Sequence, residues 1–157
     1  MQSRHASLAL PSPNATEDLA RKIGAEIGPG DVILLSGGIG AGKTHFARAL
    51  IQSRLSEPED VPSPTFTLVQ VYETDAGELW HTDLYRLDHP DSVVELGLLD
   101  AFETAICLVE WPERLGDMTP ESALSLTFSD GPDPDTRHLS AEWRDARWDA
   151  LFTSEAA

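Results

Sequence analysis

A short glycine-rich segment, residues 37–44, constrains this chain more than any other feature of its sequence. It reads Gly-Gly-Ile-Gly-Ala-Gly-Lys-Thr and lies between the apolar run 32–35 and the helix-like run 46–51. Glycines allow the tight turn that brings backbone N–H groups toward an anion, and a helix that begins there directs the positive end of its dipole at the same place. A strand, a glycine-rich loop and a helix in this order predict a phosphate-binding loop, and therefore a nucleotide-binding protein.

The pattern predicts a role for each residue of this loop. Lys43 has the position from which an ammonium group reaches the β- and γ-phosphates, and Thr44 has the position of a hydroxyl that ligates Mg²⁺. The GTPase specificity motif Asn-Lys-x-Asp is absent from the sequence, which favours ATP over GTP. The backbone that surrounds the phosphates is expected from Gly38, Ile39, Gly40, Ala41 and Gly42.

Two acidic residues stand at the ends of strand-like runs, where the crevice of a parallel sheet opens. Glu110 follows the apolar run 106–109 and is expected to hold Mg²⁺ directly or through a water molecule. Asp83 is a candidate for orienting or deprotonating the attacking water. A turn or capping acid fits the pattern at Asp83 equally well.

Two further residues are weaker candidates. Thr65 lies in a proline-containing loop after the helix that follows the glycine-rich segment. From there it could contact metal or γ-phosphate, although a threonine that starts a strand fits as well. Trp111 follows Glu110 and could pack on a nucleotide or on a partner, whereas a tryptophan beside a buried strand is more often part of the core.

Composition limits the partners. The chain has 157 residues, which suits one domain, and its 27 acidic against 11 basic residues give a net charge of −16. No cluster of lysines and arginines exists, so unaided binding of RNA or DNA is disfavoured. The apolar runs are too short for a signal peptide or a membrane span, and the single cysteine, Cys107, fits a reducing compartment. We therefore expect a cytoplasmic protein with neither a membrane nor DNA among its partners.

The remaining sequence alternates between helical and strand-like segments. Asn14 is predicted to cap the first helix, with Glu17 at its third position, and a helical segment over 91–104 is predicted to break near Gly97. Buried strands are predicted at 31–36 and 106–109, and antiparallel hairpins from 65–72 with 78–84 and from 122–128 with 137–143. A short amphipathic segment is predicted at 143–152.

Four separated motifs, taken together and in order, resemble the TsaE family of bacterial ATPases, known earlier as YjeE. They lie at residues 40–44, 63–69, 81–87 and 109–113, and the likeness extends from Asn14 to about Leu115. The resemblance implies one α/β P-loop NTPase domain over residues 1–157, three-layered, with a mixed parallel and antiparallel central sheet. Its core would span about 14–115, and 116–157 would add a C-terminal hairpin and a short helix.

The resemblance also implies an activity and partners. The cofactors would be ATP and Mg²⁺, with Thr44 and Glu110 at the metal and with Lys43, Asp83 and Glu110 carrying hydrolysis. The family serves the formation of threonylcarbamoyladenosine at position 37 of tRNA. The partners would be TsaD and TsaB of the transferase complex, with tRNA engaged only indirectly.

Other positions follow from the same likeness. Thr65 would lie in a switch-like loop, Trp111 in the same functional cluster, and Thr16 near the nucleotide base. The chain departs from the family pattern at Gly38, where Asp is usual, and at His45, where a second Thr is common.

Two other functions remain open at the level of sequence. A small-molecule P-loop kinase would need an arginine-rich lid, and only Arg86 and Arg114 lie near the motifs. A nucleotide-gated binding module would use ATP occupancy to control docking, with hydrolysis incidental.

Overall fold

The structure, a computed structural model, describes residues 3–37, 42–55, 61, 69–85, 96–134 and 136–153. Within these residues the strands are β1 (Arg4–Leu10), β2 (Val32–Gly37), β3 (Val69–Thr74), β4 (Gly77–Asp83), β5 (Ile106–Glu110), β6 (Leu124–Asp130) and β7 (Arg137–Trp143). The helices are α1 (Pro13–Gly24), α2 (Lys43–Arg54), α3 (Leu98–Thr104) and α4 (Asp149–Thr153), with 3₁₀ segments at Pro112–Met118 and Ala146–Trp148.

The strands form one mixed sheet in the order β1-β7-β6-β2-β5-β4-β3. The four central strands, β6, β2, β5 and β4, run parallel, whereas β3, β7 and β1 pair antiparallel with their neighbours. The expected α/β domain with a mixed central sheet is confirmed. Because parallel strands end at the same edge, the carboxyl ends of β2, β4 and β5 lie side by side.

Helices cover both faces of the central strands. Ile33 and Leu35 of β2 share a core with α1 and α2, whereas Val32 and Leu34 pack in a second core with α3. Every residue of β5 is buried. Burial on both faces explains why the runs 32–35 and 106–109 are apolar without interruption, as predicted for parallel strands.

The predicted antiparallel hairpins are present as β3–β4 and β6–β7, although residues 65–68 of the first lie outside the described part of the chain. Helix α3 begins directly after Gly97, whose φ of 81° ends the preceding turn, while 91–95 lie outside the described residues. No helix within the described ranges is long and apolar enough to cross a membrane.

Two features at the N-terminus differ from the sequence expectations. The cap of α1 is Ser12, not Asn14: its hydroxyl oxygen accepts a hydrogen bond of 3.2 Å from the N–H of Ala15, and Pro13 occupies the first helical position. Strand β1 was not predicted, because it lies at the sheet edge and only Leu10 of it is buried. Its partner is β7, more than a hundred residues later, with Arg4 paired to Trp143.

Candidate functional site

The candidate site lies at the edge where β2, β4 and β5 end. The parallel register of β4 and β5 places Asp83 opposite Glu110, and the register of β2 and β5 places Leu35 beside Glu110. Both carboxylates are almost fully buried, Asp83 at 5% and Glu110 at 2% exposure. Buried carboxylates destabilise a protein unless polar partners surround them, so their neighbours define the chemistry of the site.

The Glu110 carboxylate is held at both oxygens. The hydroxyl of Thr44, at the start of α2, donates a hydrogen bond of 3.0 Å to Oε1. Nε2 of His81, which is fully buried on β4, lies 2.7 Å from Oε2. Glu110 therefore connects the end of a central strand to the first turn of the helix that follows the glycine-rich loop.

Lys43 supplies the positive charge of the site. Its Nζ donates a hydrogen bond of 2.7 Å to the carbonyl oxygen of Gly37 and lies 3.5 Å from the centroid of the Trp111 ring. Burial lowers the pKa of the Lys43 ammonium below its ordinary value of 10.5, and the nearby negative charges of Glu110, Asp83 and Glu113 oppose this shift. The ammonium thus occupies a largely buried, acid-rich position next to the start of α2.

The described ends of the glycine-rich loop have the backbone geometry that such a loop needs. Gly37 has a φ of 137° and Gly42 a φ of 111°, a region that residues with a Cβ rarely adopt. Gly42 caps α2, so that the helix begins at Lys43. The predicted contacts of Gly38, Ile39, Gly40 and Ala41, and that of Thr65, lie outside the described residues.

Trp111 belongs to the site surface and is only half-buried. Its backbone is left-handed, with φ 60° and ψ 53°, which is uncommon for a bulky residue and concentrates at functional positions. This turn brings the Trp111 ring onto Lys43, and the exposed ring of Tyr85 packs against it with centroids 4.8 Å apart. Tyr85 also donates its backbone N–H to Oδ1 of Asp83 at 2.9 Å.

Thr16 lies in a cavity of about 250 Å³ beside the start of α2. The wall combines residues from α1, α2 and the β6–β7 hairpin: Pro13, Thr16, Gly42, His45, Pro134 and Arg137. Nε2 of His45 lies 3.3 Å from a carboxylate oxygen of Glu17 and 3.3 Å from the carbonyl oxygen of Pro13. The cavity adjoins the described end of the glycine-rich loop through Gly42.

The donor atoms suit a hard cation. Thr44 and Glu110 offer oxygen atoms of the kind that Mg²⁺ prefers, and Asp83 stands in register beside Glu110. Among the described residues, no group of three or more His, Cys, Asp or Glu side chains is arranged to hold a metal by itself. The site therefore fits an ion such as Mg²⁺ that takes one or two protein ligands and completes its coordination with phosphate oxygens and water.

Two residues of the site, His81 and Arg137, were not predicted from the sequence. His81 precedes Asp83 by two positions on β4, and side chains two apart on a strand face the same side, so this spacing was a usable signal. Arg137 lies on β7, far from every motif, and reaches the cavity only through the pairing of β6 with β7. No local signal points to it.

The fold and the site define a class: a single-domain α/β protein with a lysine–carboxylate site at the carboxyl edge of its parallel strands. The model of the family described as "Threonylcarbamoyl adenosine biosynthesis protein TsaE" matches residues 10–139. The chain belongs to the TsaE family. It therefore takes part in the biosynthesis of threonylcarbamoyladenosine in tRNA.

Similar proteins cover most of the chain. The TsaE protein of Rickettsia bellii is 37% identical over 128 residues, which are 82% of this chain and 89% of that protein. The TsaE protein of Bacillus subtilis is 34% identical over 130 residues, 82% of this chain and 80% of the relative. The crystal structure of B. subtilis YdiB superposes with a TM-score of 0.79 at 27% identity, covering 99% of this chain and 97% of YdiB.

Proposed function

We propose that this protein is a Mg²⁺-dependent ATP hydrolase that assists formation of the threonylcarbamoyl group on adenosine 37 of tRNA. Hydrolysis would drive turnover of the transferase complex of TsaD and TsaB. The observation that carries the proposal is the 3.0 Å hydrogen bond from Thr44 to Glu110, beside Asp83 and Lys43. This bond brings together a hydroxyl and a carboxylate, which are the two protein groups that would bind a nucleotide-bound Mg²⁺.

Each side chain has a role that follows from its position. Lys43 would exchange its bond to the Gly37 carbonyl for contacts with the terminal phosphates. Thr44 and Glu110 would hold Mg²⁺, which neutralises charge on the phosphates when bound. Asp83, buried beside Glu110, would orient the attacking water.

The charge of the chain supports an indirect relation to tRNA. A net charge of −16 repels a polyanion, so a protein partner is the better candidate for holding the tRNA. The proposed action is therefore on TsaD and TsaB, in the cytoplasm where tRNA is modified.

The first experiment measures ATP hydrolysis by the purified protein, with Mg²⁺ or with chelator, and with or without TsaD and TsaB. We expect slow turnover alone, stimulation by the partners and loss on chelation. Glu110→Gln keeps the shape but removes the charge, and we expect it to lower turnover by at least about 10-fold. The matched control is Glu121→Gln at an exposed position. Hydrolysis that Glu110→Gln leaves intact would refute the assigned role.

A nucleotide-gated binding module is the second candidate, and the exposed Tyr85 ring against Trp111 favours it. The Trp111 ring contacts both Lys43 and Tyr85. A nucleotide that draws the Lys43 ammonium away would therefore change the packing of this exposed aromatic pair. The two candidates differ in one measurement, which is threonylcarbamoyladenosine in tRNA by nucleoside mass spectrometry. A variant that binds ATP but does not hydrolyse it would sustain modification in the gated module and fail to do so in the hydrolase.

A further inference from the structure

We propose that His81 is a positioning residue that orients Glu110 and, through Glu110, the hydroxyl of Thr44. The contact is direct: Nε2 of His81 lies 2.7 Å from Oε2 of Glu110, and both side chains are buried, at 0% and 2% exposure. The effect of His81 on turnover rests on the proposed hydrolase function, whereas the contact itself does not.

Packing alone does not explain a histidine at this position. His81 is paired with Leu108 in the parallel register of β4 and β5, and the neighbouring core residues on that face of the sheet, Leu79 and Leu35, are apolar. Within the described part of the chain, Nδ1 of His81 is buried without a hydrogen-bond partner. An apolar side chain would fill the same space without this penalty. The bond to Glu110 is what distinguishes histidine from such a side chain.

The bond has a geometric consequence for Thr44. A glutamate side chain has three torsions, and a single anchored oxygen leaves the carboxylate free to turn. With Oε2 held by His81, Oε1 faces the Thr44 hydroxyl and accepts a hydrogen bond from it. The lone pairs of the Thr44 oxygen then point away from Glu110, where they are available to a cation.

Three variants distinguish the hydrogen bond of His81 to Glu110 from the space that the His81 side chain fills. His81→Leu removes the donor but keeps an apolar filling of the space. His81→Gln retains an N–H donor at about the distance of Nε2. The matched control is Thr82→Val, which changes the next residue of the same strand. Thr82 is fully buried, faces the other side of the sheet and has a hydroxyl without a hydrogen-bond partner within the described part of the chain.

The kinetic readouts are kcat, KM for ATP and the Mg²⁺ concentration at half-maximal hydrolysis. We expect His81→Leu to lower kcat by about 10- to 100-fold and to raise the Mg²⁺ requirement, with KM for ATP little changed. His81→Gln should recover most of the loss, and Thr82→Val should behave like the unmodified protein. Wild-type kinetics in His81→Leu, or equal losses in folded Gln and Leu variants, would overturn positioning by His81.

The spectroscopic readout needs no ATP. In protein labelled with ¹⁵N-histidine, a buried Nε2–H that donates to a carboxylate gives a slowly exchanging, downfield proton signal. We expect this signal to vanish in His81→Leu, to move in Glu110→Ala and to persist in Thr82→Val. A wild-type protein without it would overturn the contact. Absence of hydrolysis in wild-type protein that shows the signal would instead refute the proposed function.

Discussion

Nζ of Lys43 lies 3.5 Å from the centroid of the Trp111 ring, while donating a hydrogen bond to the carbonyl oxygen of Gly37. A cation over an indole ring is stabilised by about 0.5–2 kcal/mol. The left-handed backbone of Trp111 directs the ring there, so the strained residue and the buried ammonium belong to one arrangement. A phosphate that binds Lys43 must compete with both contacts.

This competition makes Trp111 a reporter of nucleotide binding. Addition of ATP and Mg²⁺ is expected to change tryptophan emission, because the ammonium leaves the face of the ring. Trp111→Phe should abolish most of the change. Trp80→Phe is the control, since the Trp80 indole N–H donates a hydrogen bond to the Glu78 carboxylate. An equal response from both variants would refute movement of Lys43 off the Trp111 ring as the source of the change.

Asp83 is predicted to act on catalysis more than on binding. Asp83→Asn removes the charge of a buried side chain that stands in register with Glu110. Loss of a group that orients or deprotonates water lowers kcat by about 10²- to 10⁴-fold, and we expect ATP affinity to stay within a few-fold. Single-turnover hydrolysis and equilibrium binding measure the two effects. Asp117→Asn, at an exposed site, is the control, and similar kcat values in the two variants would exclude this role.

Thr16 is predicted to contribute to nucleotide affinity. Its side chain is buried in the wall of the cavity that adjoins Gly42. Thr16→Val keeps the shape and removes the hydroxyl, so the loss of one hydrogen bond should weaken ATP binding by about 0.5–1.5 kcal/mol without lowering kcat. Calorimetric titration measures the affinity. Thr127→Val, at an exposed position on β6, is the control. Unchanged ATP affinity in Thr16→Val would mean that the nucleotide base does not bind beside Thr16.

Cys107 is predicted to make the protein sensitive to alkaline pH. Burial raises the pKa of its thiol from 9.0 to about 12, so above pH 9.0 the unfolded chain loses a proton that the native chain keeps. The free energy of unfolding therefore falls as pH rises from 9.0 toward 12, by ~1 kcal/mol for the first unit. Denaturant titrations should show a shallower alkaline decline in Cys107→Ala. The same decline in both proteins would mean that other groups cause it.

The central site is predictable from the sequence because the patterns that indicate it involve neighbouring residues. The glycine-rich segment, Lys43 and Thr44 form one contiguous motif, and the acid at the end of β5 follows an apolar run whose burial could be read directly. Parallel strands end at a common edge, so the strand pattern alone brings Asp83 and Glu110 to the same crevice. In the structure both carboxylates lie near the Lys43 ammonium, and Glu110 also accepts a hydrogen bond from Thr44.

Other parts of the site depend on residues far apart in the chain. The Thr44–Glu110 bond spans 66 residues and the His81–Glu110 contact spans 29. The cavity beside Thr16 needs Arg137, which the hairpin of β6 and β7 brings to the opposite wall.

The sequence by itself determined the glycine-rich loop, the buried parallel strands and the family, because backbone preference and hydrophobic periodicity act over neighbouring residues. Only the tertiary structure decided the strand order, the pairing of β1 with β7 and the partners of Glu110. The physical reason is that strand partners and buried polar contacts are selected by which distant surfaces exclude water together. No single segment of the chain contains enough information to specify these partners.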